Sequence, residues 1–133
     1  MTQDMTPSKK LVMAALVAAI VGVIAFFMPM VSAFSVDVTG FDILDGDGTL
    51  APYMTLGFGG AVVAAVLAAI GLSNRKLLNP AVAAATFSAA VVLMGFIIEE
   101  AMDYAGMGFW LFIIAEAACA IMSGMAANKA KTE

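Results

Sequence analysis

The chain has 133 residues, 63 % hydrophobic and 12 % charged, with a mean hydropathy of +1.03 and a net charge of −4. Soluble domains are about half apolar and a quarter charged, so this composition points to an integral membrane protein with no separate soluble domain. The single cysteine, Cys119, excludes an intramolecular disulfide, and the absence of histidine removes the commonest transition-metal ligand and the usual near-neutral proton shuttle.

Residues 1–10 are polar, read as unstructured, and end in Lys9-Lys10. From Leu11 an apolar run reaches Met28 and continues past Pro29 through Met30 and Val31, predicting a first span over 11–31. Pro29 then lies near the outer end, where a missing amide donor is tolerated. A signal peptide is the rival reading, with the two lysines as its basic region and Val31-Ser32-Ala33 as its cleavage site. The run is longer than such a leader needs and three more spans follow, which favours the span.

A loop over 34–52 comes next. Ser35 to Thr39 alternates polar and β-branched residues before Gly40, the pattern of a short strand or β-hairpin. Asp42, Asp45 and Asp47 follow with Gly46 and Gly48. These acids miss the every-second-position spacing of a calcium loop and no distal glutamate follows. The plain reading is a solvated acidic turn, and the sharper one a weak outer-loop cation site.

The second span is predicted over 53–72, where Gly57, Ala61, Ala65 and Ala69 repeat every four residues; Ala15, Ala18, Ala19 and Gly22 share a face of the first. Such stripes let helices approach closely. Ser73 to Lys76 form a tight connection, and Asn79-Pro80 opens a third span over 80–102, with the proline suited to a first turn. Asp103 to Gly108 close a second hairpin, flanked by Tyr104 and Trp110, which suit the membrane interface. The fourth span covers 108–127, and a polar tail follows.

All six basic residues (Lys9, Lys10, Arg75, Lys76, Lys129, Lys131) fall on one side of this four-helix topology, and Asp37, Asp42, Asp45, Asp47 and Asp103 on the other. The positive-inside rule then places both termini and the 73–79 connection in the cytoplasm of a cell with a plasma membrane of this polarity. The fold class is an all-α four-transmembrane-helix bundle, 1–133 forming one membrane domain.

Within the fourth span Glu116 lies about eight residues, or about 12 Å, from the outer end. An ionisable side chain at that depth costs about 2.5–3.5 kcal/mol on insertion scales and marks a candidate functional site. At 100° per residue its face carries Phe109, Phe112, Ile113, Cys119, Ala120, Ser123 and Ala127, while Trp110, Leu111, Ile114, Ile121 and Met125 lie opposite. The small-residue side faces other helices. In the third span the face of Glu99 holds Ala81, Ala84, Ala85, Ser88, Val92, Gly95 and Asp103. Glu116, Glu99, Asp103 and Ser88 are therefore candidates for a proton or cation site lining one outward cavity, in a channel or coupled transporter. The alternative is a neutral Glu116 hydrogen-bonded inside the bundle to Ser123, Ser88 or a backbone carbonyl.

Cys119 reads as a small buried hydrophobe, and the eleven methionines as gap-fillers. No nucleophile with its base, phosphate-binding loop or nucleic-acid patch is present in the sequence, so neither an enzyme nor a cofactor is implied. With Pro29 ending the first span and Thr39-Gly40-Phe41-Asp42 in the outer loop, the layout resembles small four-helix bacterial membrane proteins of uncharacterised function. The claudin-type proteins share four spans and a long first outer loop. Their Trp and paired Cys are missing from 34–52, so their function is not carried over. Two function classes stay open: a structural or accessory protein binding a membrane or envelope partner, and a homo-oligomeric channel or ion-coupled transporter.

Overall fold

The computed structural model describes residues 7–33, 36–46, 48 and 50–131. Five helices and two strands follow in order: α1 Pro7–Ile24, β1 Pro29–Ala33, β2 Val36–Thr39, α2 Gly40–Asp45, α3 Ala51–Gly71, α4 Leu78–Ile98 and α5 Met107–Ala130. Short 3-10 turns at Ala25–Phe27, Arg75–Leu77 and Met102–Tyr104 extend or join them. Among the described residues four helical stretches, Pro7–Phe27, Ala51–Gly71, Arg75–Ile98 and Met107–Ala130, are long and apolar enough to cross a membrane.

The four long helices form a ring in which α1 neighbours α3 and α5, and α4 neighbours the same two. The most extensive packing is of α1 on α5 and of α3 on α4. Buried positions recur at three- and four-residue spacing along each helix, such as Val12, Ala15, Ala19 and Gly22 on α1. On α3 the buried series is Gly57, Ala61, Ala64 and Ala68. Ala65 is only half-buried and Ala69 is exposed, because 3.6 residues per turn carry a strict four-residue stripe off the interface.

The core has three layers. At the end holding the strands, Phe26, Met30, Met54, Val92, Phe96, Phe109 and Phe112 pack together. Phe26 meets Phe58 and Phe112 at ring-centroid distances of 5.0 and 5.1 Å, and Phe96 meets Phe109 at 4.2 Å. The middle layer is Ala15, Ala19, Ala64, Ala85 and Cys119. Val12, Leu78 and Ala126 close the other end.

Several span boundaries differ from the sequence reading. The first helical stretch stops at Phe27, and 29–31 belong to a strand rather than to the span. Pro29 disfavours helical geometry at the residue before it, and Met28 is extended at φ −99°, ψ 161°. Val36–Thr39 is a strand, but its antiparallel partner is Pro29–Ala33, outside the 34–52 loop. β1 also pairs with the segment just before α5, through a bridge between Val31 and Ala105 and a hydrogen bond from the Gly106 amide to the Met30 carbonyl at 2.8 Å.

The second difference is in α4, which ends at Ile98 and not at Met102. Glu100 is left-handed at φ 56°, its amide donates to Ile97 at 3.2 Å, and the Ala101 amide donates to Phe96 at 2.7 Å. This is a Schellman ending with glutamate where glycine is usual, fastened by burial of Phe96 and Ala101 in one cluster. At its other end α1 begins earlier than Leu11, at Pro7, a residue suited to a first helical turn.

Candidate functional site

Glu116 lies in the third turn of α5, about 13 Å from the start of that helix, and is 0 % exposed. Phe112 lies one turn toward the aromatic layer, and Cys119 and Ser123 one and two turns the other way, all buried on the same face. Across the interface stands Gly22 of α1. A β-carbon on Gly22 would overlap the Glu116 Oε2 and stand 3.1 Å from its Cδ. The missing side chain of Gly22 is thus the notch that receives the carboxyl group.

The carboxyl group is enclosed but not satisfied. Among the described residues neither Oε1 nor Oε2 has a hydrogen-bond partner. The sequence carries no Lys or Arg between Leu11 and Asn74 or between Leu77 and Asn128 to act as counter-ion. An unpaired buried carboxylate costs far more than a buried neutral acid.

The other candidates have positions and partners of their own. Ser88 is buried on α4, but its hydroxyl donates to the Gly57 carbonyl of α3 at 2.6 Å, joining those two helices. Ser88→Ala is expected to lower the unfolding free energy by about 0.5–1.5 kcal/mol by removing a buried hydrogen bond between the two helices, measured by denaturant unfolding in detergent. An unchanged midpoint would show that this bond contributes nothing.

Glu99 is the half-buried C-cap of α4, and Asp103 is exposed in the following 3-10 turn. The reversal at Glu100 takes the chain off the helix axis, so Asp103 does not continue the α4 face. Among the described residues no group of three or more His, Cys, Asp or Glu side chains is placed to hold a metal ion.

In the 34–52 loop Asp42 is occupied locally. It forms a capping box with Thr39, accepting from the Thr39 amide at 3.3 Å while the Thr39 hydroxyl accepts from the Asp42 amide at 3.2 Å. Asp45 closes α2, and Asp47 lies outside the described residues. Asp37 is also engaged, accepting from the Ser32 hydroxyl at 2.8 Å across the strand pair.

Two residues with structural roles went unnoticed in the sequence. Gly22 shows as part of a small-residue stripe, but nothing in that stripe says that a carboxyl group fills it. Arg75, counted only as a topogenic charge, donates from Nη1 to the Gly71 carbonyl at 2.7 Å and to the Leu72 carbonyl, and from Nε to the Ser8 hydroxyl at 3.1 Å. It satisfies the carbonyl end of α3 and ties it to the start of α1. A basic residue four positions beyond a glycine-ended apolar run was the available signal. No family model matches the chain, and no curated protein or solved structure matches it either.

Proposed function

We propose that the chain is a four-span protein of a bacterial plasma membrane, with both termini and the 73–79 connection cytoplasmic. In this reading it is a non-enzymatic structural or accessory protein that binds another membrane or envelope component. The observation that supports it is the closed centre of the bundle, where the intramembrane carboxyl group of Glu116 is 0 % exposed and packed against Gly22. The grooves between helices, such as that lined by Thr55, Gly59, Gly60, Ala83 and Phe87, lie on the outside of the ring. Outward apolar grooves suit another helix or a lipid rather than an aqueous path.

A second reading, a homo-oligomeric channel or proton- or cation-coupled transporter using Glu116 and Glu99, is favoured by the two unsatisfied oxygens of Glu116. Thermal unfolding of the detergent-purified protein with Na⁺, K⁺, Ca²⁺ or Mg²⁺ separates the two. A ligand bound only by the folded state must stabilise it. The accessory reading expects no cation response and expects Glu116→Gln to unfold within about 1 kcal/mol of the native chain, or to be more stable. Stabilisation by one cation, abolished in Glu116→Gln, would establish the transport reading instead. Co-purification of a specific membrane protein, lost on deleting residues 36–48, is the positive result expected.

A further inference from the structure

The basic end of the bundle holds a pocket of about 230 Å³ lined by Arg75, Lys76, Asn79, Ala127, Ala130 and Lys131. Three cations and an amide converge there with no acidic side chain in the lining. The Lys76 and Lys131 ammonium groups form no ion pair among the described residues, and both side chains are exposed. Arg75 is held in place by its bonds to α3 and Ser8, so its charge is fixed at the rim.

The pocket does not stand alone. It opens between α4 and α5, and a second cavity of about 350 Å³ lies in the same crevice, lined by Thr86, Ala89, Leu93, Ile113, Ala117 and Ile121. One helical face connects the two: Asn79, Val82, Thr86 and Ala89 follow at three- and four-residue spacing on α4, and Ala117, Ile121, Gly124 and Ala127 on α5. At the junction a β-carbon on Gly124 would stand 3.8 Å from the Val82 Cγ2, ordinary van der Waals contact, so a methyl group would fit while a larger side chain would fill the crevice between the cavities.

We infer that this crevice is a binding site for one anionic phospholipid. The phosphate sits among Arg75, Lys76 and Lys131, where each cation adds attraction to a negatively charged headgroup. The acyl chain follows the groove past Gly124. A leaflet's hydrocarbon is about 15 Å deep, or about ten residues of helix, which carries the chain from Lys131 to Ile121 and Ala120 in the apolar cavity. Polar rim and apolar groove thus match the two halves of one amphiphile, which neither a free anion nor a neutral lipid does. This site rests on the bundle spanning a membrane, but not on which leaflet meets its basic end.

The test is native mass spectrometry of the full chain in detergent, titrated with phosphatidylglycerol, phosphatidylcholine of the same acyl chains, or inorganic phosphate. One phosphatidylglycerol is expected to be retained, with phosphatidylcholine and phosphate binding at least tenfold more weakly. The Lys76→Gln/Lys131→Gln variant is expected to lose tenfold or more in phosphatidylglycerol affinity, and Gly124→Leu, which blocks the groove without touching charge, to lose the adduct as well. Lys9→Gln/Lys10→Gln removes the same charge at the same end and is expected to bind normally. Equal losses in the two lysine pairs, equal binding of phosphatidylcholine, binding of phosphate alone, or no retained lipid would each overturn the site. Resistance of the native chain to alkaline extraction from membranes tests the spanning reading separately.

Discussion

Gly108→Ala is expected to lower the stability of the bundle by about 3 kcal/mol, near the upper end of ordinary overpacking. A β-carbon at Gly108 would stand 2.8 Å from the Pro29 carbonyl oxygen and 2.9 Å from those of Ala25 and Met28. All three obstacles are main chain, so no rotamer change relieves them. Either the first turn of α5 lifts away or the 25–29 segment detaches, and both routes break the hydrogen bond from Gly106 to Met30. The control is Gly59→Ala, where a β-carbon meets nothing within 4 Å. That change is expected to be neutral or stabilising, since alanine suits a helix interior better than glycine by about 1 kcal/mol. Thermal unfolding of both variants in one detergent decides the matter. Equal midpoints for Gly108→Ala and the native chain would mean that the 25–29 segment does not sheathe the start of α5.

Filling the notch at Gly22 is the second large effect. Gly22→Ala is expected to cost about 1–3 kcal/mol, because the new methyl group competes with the Glu116 carboxyl group for one space. The side chain it meets is flexible at its end but 0 % exposed, so it has nowhere to retreat without parting α1 from α5. The decisive comparison is a double-mutant cycle. In a Glu116→Ala background the same Gly22→Ala change is expected to cost little, giving a coupling within the range of contacting residues. Additive costs would show that Gly22 is constrained by something other than Glu116.

The four spans were legible because length and hydropathy determine them, and burial of Glu116 was legible from its company: Cys119, Ser123 and Phe112 share its face, while Ile114, Ile121 and Met125 point outward. Helix periodicity supports such a reading only while the helix lasts. It failed for Asp103, which lies beyond the left-handed residue at Glu100, and no glycine marked that ending. It failed again at Met30 and Val31, whose apolar side chains suit a strand as well as a span; Pro29 was the local signal, and its effect fell on the residue before it. Partners were less legible still. Ser88 could be placed on the inward face of α4, but the inward face has two neighbours, and the hydroxyl reaches α3 rather than α5. The notch that holds Glu116 is defined by an absent side chain on a helix far away in sequence, which no local pattern encodes.

The pairing of α1 with α5 also sets an order for the making of the protein. Gly22 and Glu116 are roughly ninety residues apart, and synthesis proceeds at about 5–20 residues per second, so the first span waits several seconds for its most extensive partner. During that interval α3 and α4, joined by a short connection, can already pair through Ser88 and Gly57. The early hairpin then serves as a template, and the last span enters as a wedge between α4 and the waiting α1. A chain halted short of Glu116 would leave the Gly22 notch without its occupant, an open seam along α1.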